Sequence, residues 1–104
     1  MGDRGNIIVN QDGGGLVYLY THWTGYRLHD DLRSALIRGE DRWDDVPYLT
    51  RIIFSEMTKG QEMETTGFGI STQMGDGGTD IVVDPQNKRV TWRDGTASFR
   101  EYIG

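Results

Sequence analysis

The sequence predicts a single α+β domain spanning residues 1–104, ordered ββ-αα-βββ: an antiparallel sheet with two helices on one face. Three observations carry that expectation. Apolar residues alternate with period two in residues 6–23, and again in short runs after residue 68. Between those regions the apolar spacing becomes helical, twice. Turn-forming glycine, proline, asparagine and aspartate residues punctuate the runs, and a chain of 104 residues has room for one core.

The elements follow in order. Residues 6–9 (Asn-Ile-Ile-Val) are a β-branched run that ends at the polar, glycine-rich turn 10–15. Residues 16–23 then alternate, with Leu16, Tyr18, Tyr20 and His22 on one face and Val17, Leu19, Thr21 and Trp23 on the other. Two such runs about a glycine-rich turn form a hairpin, and apolar residues on both faces place the second strand centrally. Leu28, Leu32, Ala35 and Leu36 fall at i, i+4, i+7 and i+8, which is one stripe of a helix. Asp30 and Asp31 suit its positive end, and Gly39 its stop. Asp45 reads as the N-cap of a second helix with Pro47 in its first turn, Leu49, Ile52, Ile53 and Met57 as its buried stripe, and Gly60 as its end. Residues 68–72, 81–83 and 89–92 read as three short strands, joined by the turns 75–78 and 84–87. After the Asp94-Gly95 turn, residues 98–103 fit an edge strand or a short helix equally well. The expected core is Leu19, Leu32, Leu36, Leu49, Ile53, Ile70, Val82 and Val90.

Composition excludes several functional classes. With 36% hydrophobic and 26% charged residues the chain is globular in character. Its net charge of −5 opposes bulk nucleic-acid binding, which requires a surplus of Lys and Arg to displace counterions from phosphates, and it opposes adsorption to anionic membranes. The absence of cysteine removes disulfides, thiol nucleophiles and thiolate metal sites. The amino-terminal residues lack the apolar core of a signal peptide, and Asn6 stands where an acylation signal needs Ser or Thr. A cytoplasmic protein is the expectation.

Motifs for catalysis and metal binding are weak. None of the serines sits in a nucleophile elbow. His22 beside any of 16 carboxylates could serve as a general base, or could simply hydrogen-bond or line a pocket at a strand end. His29, Asp30 and Asp31 are adjacent helical residues, which diverge by about 100° and cannot converge on one ion. The glycine runs 13–15 and 75–78 lack the Lys-Ser or Lys-Thr and the following helix that a phosphate loop needs. No cofactor is expected.

The richest chemistry lies in two clusters, Tyr18-Leu19-Tyr20-Thr21-His22-Trp23 and Arg42-Trp43-Asp44-Asp45. Indoles stack on planar rings and a guanidinium pairs with phosphate or carboxylate. The candidate ligand-binding residues are therefore Tyr20, His22, Trp23, Arg42 and Trp43, with Thr72 as a further hydrogen-bonding group. The competing structural roles are explicit: Trp43 as the staple of the second helix, Arg42 held by Asp44 and Asp45, and Arg51 lying over the apolar stripe.

The order Tyr-Thr-His-Trp (20–23), Arg-Trp-Asp-Asp (42–45), Thr-Arg-Ile-Ile-Phe (50–54) and Thr-Gly-Phe-Gly-Ile-Ser-Thr (66–72) resembles a family of small hypothetical proteins of bacteriophages, prophages and bacteria. In size and aromatic–arginine inventory the chain is also similar to phage counter-defence sponges, which sequester cyclic dinucleotides or cyclic ADP-ribose derivatives. The family carries no settled activity. The likeness to sponges implies a non-enzymatic protein that binds a small nucleotide-like ligand in the host cytoplasm. Since a domain this small shapes only a shallow pocket alone, a homo-oligomer, most simply a dimer, is expected. Its contacts are expected at an edge strand near Ile103 and at the exposed face of the hairpin. A small hydrolase or transferase using His22, and a protein-binding inhibitor or adaptor, are the alternatives.

Overall fold

A computed structural model describes residues 2–104; Met1, part of the amino-terminal stretch expected above to be neither a signal peptide nor an acylation site, lies outside the described residues. The elements are β1 (Gly5–Asn10), β2 (Leu16–Thr21), α1 (Leu28–Arg38), α2 (Val46–Thr58), β3 (Phe68–Ser71), β4 (Thr79–Asp84), β5 (Arg89–Trp92), β6 (Gly95–Ser98) and α3 (Phe99–Ile103). The α+β class and the two predicted helices stand. Of the two alternatives for residues 98–103 the short helix is the one formed, capped by Ser98, and the strand β6 before it is an element the sequence reading did not include.

The sheet is mixed, which corrects the antiparallel expectation. Its order is β3-β2-β1-β4-β5-β6, and β1 runs parallel to β4. The cause is the β3–β4 connection. β3 pairs antiparallel to β2 and so runs in the direction of β1, yet the next strand enters on the far side of β1. Residues 72–78 must therefore cross three strand spacings and return about three residues along the strands, a diagonal of about 17 Å. Seven extended residues reach that far. The crossing lies over the face opposite the helices, where Asn6 Nδ2 donates to the carbonyls of Gly75 and Asp76 at 3.5 and 3.3 Å.

Alternation decides which side chains enter the core. Ile7, Val9, Leu19, Ile81, Val83 and Val90 are buried against Leu28, Leu32, Leu36, Leu49, Ile53 and Met57 of the helices. Two expected core residues are corrected. Val82 stands in register with Ile8 on the opposite face, a parity that the apolar triplet 81–83 conceals. Ile70 shares the helix-side face with Leu19, but β3 is an edge strand that an open groove separates from α2, and Ile70 is 63% exposed.

The helix starts also differ in detail. Asp45 occupies the cap position of α2 without a side-chain capping bond, and Pro47 sits in the first turn as its missing N–H allows. α3 is short yet well begun. Ser98 and Glu101 exchange both bonds of a capping box, and the bonds from Ser98 hold the Glu101 carboxyl below the usual range. That box seats Phe99 and Tyr102 in the core.

Candidate functional site

The six candidate residues divide between opposite ends of the sheet. Tyr20, His22 and Trp23 gather where β2 ends, beside the start of β1, since Thr21 pairs with Gly5. Trp43 lies by Asp12 and Pro85, at the other end of β1 and β4. The six residues of β1 separate these ends by about 17 Å. A single site containing both tryptophans is therefore excluded within one chain.

Trp43 is a packing residue. It is 8% exposed, its Nε1–H donates to the Leu36 carbonyl at 2.9 Å, and its ring meets Phe99 edge-on at 5.2 Å. The Arg100 guanidinium covers the ring at 4.7 Å and pairs with Glu40. The ring is chiefly a core group, and only its rim reaches the small pocket lined by Asp12, Asp44, Pro85 and Lys88. Arg42 is exposed and stacks 5.2 Å from the centre of the Tyr48 ring, while Asp44 pairs with Lys88 instead. Thr72 is exposed in the crossing loop, four positions beyond the β3 residue that pairs with Thr21, and so points the chain away from His22.

The remaining three residues do converge, with one that the sequence reading missed. The β1–β2 register extends to place Arg4 opposite His22, and Arg4 Nε–H donates to His22 Nδ1 at 3.4 Å. The Tyr20 hydroxyl lies 3.1 Å from the same nitrogen. A nitrogen that receives the Arg4 N–H must be an acceptor, so Tyr20 donates as well. The imidazole proton is thereby placed on Nε2. Gly2 abuts that edge of the ring, and Gly2, Arg4, His22 and Trp23 line an open cavity of about 390 Å³.

Packing holds the indole. Trp23 meets His22 at 5.9 Å and Phe68 at 6.3 Å, both edge to face, and its Nε1–H donates to Gln61 at 3.2 Å. Gly67, at φ +96°, lies against it so closely that an added Cβ would stand 2.2 Å from the ring. Gly75 does the same for Tyr20, at 2.5 Å. These two glycines let the backbone close on the aromatic cluster, which gives residues in the segments 66–72 and 75–78 a positional purpose. The Arg4 side chain is 45% exposed and, among the described residues, is tied only by the long Nε contact and a 3.7 Å approach to Asp76. Its guanidinium retains donors for an incoming group.

A second cluster at the same end of the sheet escaped notice because its members are far apart in sequence. His29 of α1, Trp92 of β5 and Tyr102 of α3 form a trio with centroids 5.5 to 5.9 Å apart, His29 edge-on to Trp92 and both tilted against Tyr102. Burial, then Arg33, holds the His29 pKa below its ordinary value against the opposing pull of Asp30. Burial likewise raises that of the Tyr102 phenol. Among the described residues no group of three or more His, Cys, Asp or Glu is placed to hold a metal ion, and no helix is long and apolar enough to cross a membrane.

Comparison with family models, curated proteins and solved structures finds no match for this chain.

Proposed function

We propose that the chain is a non-enzymatic binding protein that sequesters a small nucleotide-like ligand, in the phage counter-defence setting suggested by its motifs. One observation carries this reading. Arg4, His22 and Trp23 line one cavity, so a guanidinium, an imidazole and an indole meet there. That combination suits a planar anion: ring against indole, phosphate oxygens against arginine and imidazole.

The same hydrogen bonds weigh against the alternative of His22 as general base. Its Nδ1 lone pair is already taken by Arg4 and Tyr20, and its Nε2 carries the proton.

Homo-oligomerisation forms part of the proposal, with its contact placed at β3 rather than near Ile103, which lies in a helix. Among the described residues β3 has only β2 as neighbour, and residues 68–73 carry no charge. A chain of net charge −5 meets its own copy most readily on an uncharged edge, because a twofold contact sets like surfaces together. Beside that edge Val17, Pro47, Phe54 and Ile70 line an apolar groove of about 290 Å³.

The test is incubation with a panel of linear and cyclic nucleotides and ADP-ribose derivatives. Thermal-shift measurement would be followed by heat denaturation and chromatography of the released ligand. A binding protein is stabilised by one ligand class and returns it intact. Return of a converted product would support the enzyme, and no stabilisation by any member would reject the nucleotide.

A further inference from the structure

We propose that the cavity beside His29 is a second binding site, separate from the one above, which takes an uncharged planar heterocycle of the guanine type. The argument starts from one proton. The Tyr102 oxygen lies 2.7 Å from His29 Nδ1 and 3.2 Å from the His29 carbonyl oxygen. A carbonyl only accepts, so the phenol donates to it. His29 Nδ1–H then donates to the phenol oxygen, and both contacts are satisfied. The imidazole therefore carries its proton on Nδ1 and a lone pair on Nε2. Its depressed pKa keeps it neutral in neutral solution.

With the Nδ1 edge turned to Tyr102, the edge that His29 offers the cavity is Nε2, an acceptor without a partner among the described residues. The cavity has a volume of about 250 Å³ and is shared with Thr79, Asp80, Trp92, Arg93 and Asp94. Asp80 is already occupied by Asn6 and by the N–H of Gly78. Arg93 and Asp94 are exposed and form no ion pair among the described residues.

The site thus presents acceptors in His29 Nε2 and the Asp94 carboxylate, donors in Arg93, and an indole wall in Trp92. A phosphate would meet the Asp94 carboxylate, so a charged anion is disfavoured here. A heterocycle with adjacent N–H donors on one edge and acceptors on another matches the set. Guanine has that arrangement: N1–H and the 2-amino group suit a carboxylate, and O6 and N7 suit the arginine fork. The two cavities flank the backbone contact in which Thr79 N–H donates to the Arg4 carbonyl at 3.0 Å.

Guanosine, inosine and adenosine, none of which carries a phosphate, are the probes. Each is titrated into the intact protein to millimolar concentration while the imidazole nitrogens are followed by NMR. Before any addition His29 Nε2 should resonate as an unprotonated nitrogen. Guanosine should shift it, inosine less so, and adenosine least. Asp94→Asn replaces an exposed acceptor by a donor without touching the core, and should weaken guanosine about tenfold or more. Arg4→Ala should leave guanosine binding unchanged, whatever it does at the other cavity. A protonated Nε2 in the free protein, no shift with any nucleoside, or loss of guanosine binding in Arg4→Ala with Asp94→Asn unaffected would each overturn the proposal.

Discussion

Replacing Trp43 by alanine separates a packing indole from a binding one. The ring is 8% exposed, stacks edge-on against Phe99 and donates to the Leu36 carbonyl. Truncation removes nearly the whole indole from the core, which costs about 3–5 kcal/mol. In a domain of this size each kcal/mol lowers Tm by about 4–8 °C, so the expected fall is roughly 15 °C or more. Trp43→Phe keeps an aromatic ring against Phe99 but leaves the Leu36 carbonyl without its donor, for a smaller loss of about 1–3 kcal/mol. Trp23→Ala, at the partly exposed indole, should cost only about 1 kcal/mol. Thermal and urea unfolding followed by circular dichroism would rank the three. If Trp43→Ala melts within a few degrees of the parent, or no lower than Trp23→Ala, the assignment of Trp43 to the core is wrong.

Stability should carry an unusual pH dependence from Asp31, whose burial pushes its pKa up to about 6 against the opposing Arg27. A carboxyl with a raised folded pKa stabilises most below its unfolded value of about 4, and that contribution is lost as pH rises through about 6. Asp31→Asn should therefore cost about 1–2 kcal/mol less at about pH 7.5 than at about pH 4.5, allowing for the solvent that still reaches the group; equal costs in urea unfolding would refute it. Gly67→Ala should move Trp23, because the new Cβ would overlap the ring and sit at φ +96°. A loss of about 1–3 kcal/mol and an altered Trp23 emission are expected, and an unchanged protein by both measures would contradict that packing. Ile70→Lys puts charge on the uncharged β3 edge at a residue that is 63% exposed. It should turn an oligomer into the 11.8 kDa monomer by light scattering while leaving Tm within a few degrees. A parent that is monomeric at high micromolar concentration would defeat the dimer.

Much of the fold was legible because it is written in local periodicity. The stripe of Leu28, Leu32, Ala35 and Leu36 and that of Leu49, Ile52, Ile53 and Met57 specify two helices without reference to anything distant. What escaped was non-local. The parallel pairing of β1 with β4 depends on where the loop 72–78 lays its chain, and no residue in that loop announces the crossing. The parity of Ile81, Val82 and Val83 is likewise set by register alone. At the site, Tyr20, His22 and Trp23 were visible as neighbours in sequence. Arg4 lies outside every motif and periodic run, although the hairpin register, once known, places it opposite His22. Arg42 and Trp43 have the same chemistry as the site residues, but β1 lies between them and the cavity. His29 was read as a helix start, because its partner Tyr102 stands 73 residues away in a segment whose conformation was undecided.

The central claim is that Arg4, His22 and Trp23 form one anion-binding cavity, and Arg4→Ala tests it most directly. Arg4 is exposed and weakly tied, so its removal should leave Tm nearly unchanged. Calorimetric titration with the nucleotide that stabilises the parent most should show affinity reduced about 10- to 150-fold, the loss of a charge-assisted bond of roughly 1.5–3 kcal/mol. Arg42→Ala, at the opposite end of the sheet, should bind like the parent. Equal affinity in the parent and Arg4→Ala, or a loss confined to Arg42→Ala, would contradict the assignment.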